Sequence, residues 1–337
     1  MPFGAVAQRT MAEARLKHCL HPSAGSGNCD NIVSAHTIQR SRVLDRIIDS
    51  KNHVCTFFSR HTDFSLDGPK VLPVGWKEAS TFTGFCSKHD SATFRPLETR
   101  DFEGSLEQCF LVGYRALCHE IHQKSRMLKS HRTFLSLVDR GLPIEEQVEM
   151  QKMGWAQEAG FRKGLEDFER LKAIMDEQLL KRDYSGWHRT VVNFKGPLSL
   201  ASAGAVSPNR DIDGKQLQVL HDPDTVAQEL LFGIVATEDG GAAVFLCRDD
   251  EAIPRQFVQD LVRREPEWVC SLIAQFAFVY IENTFFSKLW WDSLSHADQK
   301  HMSSLAWVSN AYYEDFTYSR SRRIVPWEVV SICATAQ

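Results

Sequence analysis

Four residues limit what this chain can fold into more than any others: Cys19 and Cys29 near the start, and Cys86 and His89 far downstream. Three thiols and an imidazole, in two pairs, have the number and type of ligands that close one tetrahedral zinc site, with no position left for water. Cys86-Ser-Lys-His89 puts two ligands on one turn, and Gly84 before it is expected to let the backbone bend. Cys19 and Cys29 are more widely spaced, and the small-residue insert between them, with Ser23-Ala-Gly-Ser-Gly27, is expected to fold away as a loop. His18 and His21 flank Cys19 and compete with it as ligands. The alternative is a set of unrelated thiols, with His89 an exposed residue at a helix start.

The chain has 337 residues, enough for one large domain or two modest ones, and 43% of them are hydrophobic, which permits a sizeable core. Its net charge of −4 gives no overall attraction to nucleic acid. The charge is uneven, however: residues 1–100 hold 13 Lys and Arg against 9 Asp and Glu. A mildly basic N-terminal part on an acidic body allows a local phosphate contact without requiring one.

Nine cysteines, odd in number and irregular in spacing, do not make a secreted disulfide framework. Residues 1–18 carry Arg9, Glu13, Arg15 and Lys17 and no apolar run of signal-peptide length. Reduced thiols in the cytoplasm are therefore expected, most of them buried as small hydrophobes. The longest uncharged apolar stretch, Trp268 to Ile281, is shorter than the roughly 20 residues that cross a bilayer. It is expected as a central helix of a soluble core, with no membrane partner.

The pattern of the chain predicts an α+β protein in two parts, a zinc-stapled unit over residues 1–104 and a larger body over 105–337. In the first part a short helix is expected over 37–49, because Leu44, Ile47 and Ile48 keep helical spacing, and residues 71–85 read as extended. In the body a helical hairpin is expected over 105–183, its second helix starting at Pro143 and breaking near Gly154 to Gly164. Residues 187–248 read as strands at 190–194, 198–206, 217–220, 230–237 and 242–247, forming a small, mainly antiparallel sheet. Glu238-Asp-Gly-Gly241 is a strong hairpin signal between two of them. Helices return over 254–312, broken at Pro266.

With its ligand pairs and Ser34-Ala-His-Thr37 between them, the stretch of roughly residues 15–100 resembles the treble-clef zinc fold, and within it the zinc-bearing nucleases of the HNH type. The resemblance implies a structural zinc on Cys19, Cys29, Cys86 and His89. It implies His36 as the general base that deprotonates the attacking water, and Asp90 as a ligand of a second divalent ion such as magnesium or manganese. The match departs from the family at Ala35, where an acidic residue is usual, and at Asp90, which replaces a histidine; Asn52 is the one candidate for the central asparagine. A degenerate, purely structural unit is the competing reading, with His36 packing and Asp90 capping a helix.

Arg40, Arg42 and Arg46 are the residues available to meet nucleic-acid phosphates, the alternative being a solvated charged face. His119 and His122 flank Glu120 but are three residues apart, one short of the metalloprotease spacing. Asp211-Ile-Asp-Gly214 copies only the start of a calcium loop. Trp290-Trp291 reads as core or as a partner surface. The expected function is a zinc-containing module that binds nucleic acid or, through the body, a protein partner; the alternative is a metal-dependent nuclease using His36.

Overall fold

A computed structural model describes residues 10, 14–25, 27–57, 69–220, 222, 224–308 and 316–335. Its early elements are β1 (Ile32–His36), β2 (His53–Thr56), β3 (Leu72–Gly75), β4 (Thr81–Cys86) and helix α1 (Ser87–Thr99). Two long helices follow, α2 (Leu106–Val138) and α3 (Ile144–Lys181), then β5 (Trp187–Lys195), β6 (Leu200–Val206), β7 (Leu230–Ala236) and β8 (Gly240–Arg248). The chain continues with α4 (Ala252–Val262), α5 (Pro266–Tyr280), β9 (Thr284–Phe286), α6 (Lys288–Ser293), α7 (His296–Val308) and β10 (Glu328–Ala334).

The protein is mixed α and β, as expected, but the sheet is not small. Eight strands run in the order β10-β5-β8-β7-β6-β9-β2-β3, each pair antiparallel, while β1 and β4 form a separate two-stranded ribbon. The sheet is larger because it recruits β2 and β3 from the first hundred residues and β9 and β10 from beyond residue 280. Strands β2 and β3 thus lie in one sheet with strands of the later chain.

Period-two patterning on two covered faces explains the near-continuous apolar strands. In β8, Ala242, Val244 and Leu246 join Phe110, Tyr114 and Leu117 of α2 on one side. Ala243, Phe245 and Cys247 join Phe257 of α4 and Ile273 and Phe276 of α5 on the other. The sheet is therefore the middle of three layers. Helix α2 lies close on its face at paired glycines: a Cβ on Gly233 would stand 2.5 Å from Val112 Cγ1, and one on Gly113 would stand 2.9 Å from Leu231 Cδ1. Side chains there would push the helix off the sheet.

Several local expectations change. The helix expected over 37–49 is a single 3-10 turn at Leu44–Arg46, flanked by hydrogen bonds of unequal span such as Asp45 N to Arg40 O. Its apolar residues Ile38, Val43, Leu44 and Ile47 are buried in the main core, and that packing replaces helical regularity. Helix α3 runs unbroken through Gly154, where a Cβ would stand 2.2 Å from Leu135 Cδ2, so this glycine serves close packing of α3 on α2. Residues 217–220 form no strand; the region holds only an isolated bridge between Arg210 and Gln216. The Asp211 turn is an Asx turn, Oδ1 accepting from Asp213 N and Lys215 N, with Asp213 paired to Arg264 and Arg320. Trp290 and Trp291 are buried in the core. Helix α5 is the buried central helix foreseen, and no helix among the described residues is long and apolar enough to cross a membrane.

One buried acid gives this core a pH dependence. Glu229, just before β7, is 2% exposed; its carboxylate accepts one hydrogen bond from Ser207 Oγ at 2.7 Å, and Oε1 has no hydrogen-bond partner among the described residues. Burial pushes its carboxyl from 4.5 up to about 7, and burial likewise takes Glu251 to about 7. A folded-state value above the unfolded one means stability is fully present below pH 4.5 and lost as pH rises through about 7. Glu229→Gln removes the charge, so at pH 8 it should be more stable than the parent by on the order of 1–3 kcal/mol. Denaturant titrations at pH 5 and pH 8 check this; equal pH slopes for parent and variant would contradict it.

Candidate metal centre

The arm that carries Cys19 runs along β4. His18 N donates to Thr83 O at 3.3 Å and Leu20 N to Gly84 O at 2.8 Å, which sets Cys19 beside the end of that strand. A turn closed by Asn28 N to Gly25 O brings the chain back so that Cys29 stands just before β1. Cys86 ends β4 and caps α1, its Sγ accepting from His89 N at 3.5 Å, and His89 lies in the first turn of that helix. Gly84 provides room and not a bend: a Cβ there would stand 2.4 Å from Phe82 Cε2 and 3.2 Å from Leu20 Cδ1.

The ligand atoms of Cys19, Cys29, Cys86 and His89 all lie within 4.8 Å of one another. His89 Nδ1 is 3.4 Å from Cys19 Sγ, 3.6 Å from Cys29 Sγ and 3.2 Å from Cys86 Sγ. A tetrahedral zinc with its usual bond lengths separates sulfur from nitrogen by about 3.5 Å, so the spacing fits one ion. Burial lowers the pKa of His89 and leaves its imidazole neutral, the ligating form. Burial pushes the Cys19 thiol up to about 11; at Cys86 burial acts the same way but is outweighed by the backbone hydrogen bonds of His89 and Asp30 together with those from the Cys29 and Cys19 thiols. A cation would supply what Cys19 lacks for ionisation.

The competing histidines stand apart from the ligand group. His21 stacks flat on His89, ring centroids 4.0 Å apart, and its Nδ1 accepts from Ser23 N. It covers the ligand ring and holds its orientation. His18 faces His122, with ring centroids 6.1 Å apart.

His36 and Asp90 lie outside this group, around a residue the sequence reading passed over, Arg115 of α2. Arg115 is 3% exposed, pairs with Glu98 at 2.8 Å and Asp90 at 3.7 Å, and lies 4.0 Å over the ring of Phe94. The signal was present: a lone cation inside the apolar stripe of Phe110, Leu111, Tyr114 and Leu117. Burial, and then Arg40, lower the pKa of half-buried His36 and keep it neutral; burial raises the pKa of Asp90 against the pull of Arg115. His36 Nε2, Thr37 Oγ1, Asp90 Oδ1 and Arg115 Nε are all buried without a hydrogen-bond partner among the described residues. The cavity beside Thr37, Gln39 and Arg115 is about 20 Å³, room for one water. Asn52 occupies a left-handed turn position at φ 61°, and its carbonyl accepts from Trp76 N.

The three arginines do not converge. Arg40 lies 5.5 Å over the Trp76 ring. Arg42 donates to Arg100 O and Asp101, and Arg46 donates to Thr237 O and Gly240 O at the β7–β8 turn. Each guanidinium thus has a partner within the chain, and Arg46 fastens the 3-10 turn to the sheet. Comparison with protein-family models, with curated proteins and with solved structures found no match to this chain.

Proposed function

We propose that this is a zinc-binding protein whose Cys3His centre is structural, and that the zinc-stapled N-terminal part acts as a binding module. The observation that carries the reading is the convergence of Cys19, Cys29, Cys86 and His89 at tetrahedral spacing. In this reading the first two ligands precede the β1–β4 ribbon and the last two open a helix, an order like that of a treble clef of the HNH kind. Four protein ligands leave the ion no open position, so it holds the fold and performs no chemistry. Reduced thiols of this sort suit a cytoplasmic protein. The arginines are engaged internally, which favours a protein partner over a phosphate backbone.

Cobalt(II) substitution tests the centre. Three thiolates and one imidazole around cobalt should give strong sulfur-to-metal charge transfer and the visible bands of a tetrahedral ion, both abolished when zinc displaces it. An octahedral spectrum, or no binding at equimolar cobalt, would contradict the proposal.

One observation favours a second reading, a metal-dependent phosphodiesterase: the cluster of buried polar atoms without hydrogen bonds around Arg115, which includes His36 Nε2 and Asp90 Oδ1. Groups of this kind gather at catalytic sites as well as at bound waters. Here His36 serves as base and Asp90 helps hold a magnesium or manganese ion. A phosphodiester would have to reach a nitrogen that the fold covers. His36→Ala should then abolish divalent-dependent cleavage of DNA or RNA while zinc content stays unchanged. Equal cleavage, or none, in parent and variant would remove catalysis and leave the binding module.

A further inference from the structure

Helix α3 packs chiefly on α2, and its N-terminal half leaves an apolar face uncovered. Ile144, Val148 and Trp155 are 67%, 44% and 65% exposed. At 100° per residue they fall within a 40° sector of the helix, so they form one stripe. Exposed Ala159 continues it. An indole this exposed, in line with two aliphatic side chains, is the composition of an interface centre and not of a solvated helix face.

Charge along the stripe is segregated. Glu145 stands beside its N-terminal end, Lys152 beside its centre, and Arg162 at its C-terminal end. Glu145 makes no ion pair among the described residues; Lys152 pairs with Glu149 at 2.9 Å and Arg162, its side chain 48% exposed, pairs with Glu158 at 2.7 Å, surface pairs within α3 that each cation would exchange for a partner across the contact. A stripe acidic at one end and basic at the other is complementary to itself when reversed.

We propose that the occupant of this face is a second copy of the chain, with two α3 helices packed antiparallel across a two-fold axis between residues 153 and 154. That register sets Glu145 of each copy against Arg162 of the other. It sets Val148 against Ala159, and Lys152 over the Trp155 indole, a cation–π contact. Two-fold symmetry makes each of these pairings twice, as an isologous interface requires. A parallel arrangement would oppose acid to acid and base to base, so the charges select the direction as well as the partner. The contact is a single helix face, below the roughly 800 Å² per partner of a standard interface, so affinity on the order of micromolar is expected.

Sedimentation velocity of the full chain, from about 1 to 100 μM to bracket that affinity, tests the proposal. The parent should shift from monomer to dimer across this range. Trp155→Glu should remain monomeric, with an unchanged thermal melt showing that the fold is intact. Glu145→Arg should also be monomeric, and Glu145→Arg combined with Arg162→Glu should dimerise again. Met153→Glu, an exposed residue on the opposite side of α3, should dimerise like the parent. A parent that stays monomeric at the highest concentration, or a dimer that survives Trp155→Glu, would overturn the proposal.

Discussion

Replacing Cys86 with alanine should release the metal and unfasten the chain from residue 14 to the start of β1. Cys86 is buried at the junction of β4 and α1, where it caps the helix and would also ligate the proposed zinc, so no neighbouring group can take its place. Loss of a structural metal belongs to the few single changes that exceed roughly 4 kcal/mol. The β1–β4 ribbon and α1 have apolar support of their own, since Phe82, Phe85 and Phe94 join Phe110, Tyr114 and Leu117 of α2 in one core. Limited proteolysis should therefore cut first between residues 14 and 31, and the sheet should outlast that cut. Cleavage of all regions at one rate would show that the zinc unit and the sheet unfold as one cooperative body.

The second large effect is expected at Arg115. Its guanidinium pairs with both Asp90 and Glu98 where α1 meets α2, and it stacks on Phe94. Arg115→Ala leaves the partly buried Asp90 carboxylate without its counter-charge and opens a void beside Phe94. Removing one partner of a buried pair costs about 3–5 kcal/mol, most of it the stranded charge. Glu98→Gln removes a partly exposed partner and should cost about 1 kcal/mol or less. Chemical denaturation of the two variants measures the difference. Equal, small effects would mean that Arg115 is not what joins α1 to α2.

The convergence of Cys19, Cys29, Cys86 and His89 was legible in the sequence because ligand chemistry is local: four soft side chains in two pairs suit one shared partner. The helical hairpin, the break at Pro266 and the β7–β8 turn were legible for the same reason, since each rests on short-range pattern or turn residues. What escaped was set by distant pairing. Strand β2 is four residues long and β9 three, too short for periodicity to show. Each is a strand because its backbone pairs across the chain, Cys55 with Phe286 and Leu200 with Phe286. Helical spacing at 44–48 misled because the same apolar residues are wanted by the core whichever backbone carries them. The glycine at 154 looked like a helix break and is a packing contact, a distinction that depends on Leu135 of the neighbouring helix. His36 and Asp90 were singled out by motif position, yet Arg115, which pairs with Asp90, comes from another element.

A single zinc ion held by Cys19, Cys29, Cys86 and His89 is the claim on which the rest depends. The most direct test is metal content by elemental analysis of reduced protein purified without chelator, for the parent and a set of single variants. The parent should carry one zinc per chain. Cys19→Ser, Cys29→Ser, Cys86→Ser and His89→Ala should each lose most of it, while His18→Ala should keep it in full. A parent without stoichiometric zinc, or variants that retain zinc when a cysteine of the set is removed, would contradict the claim.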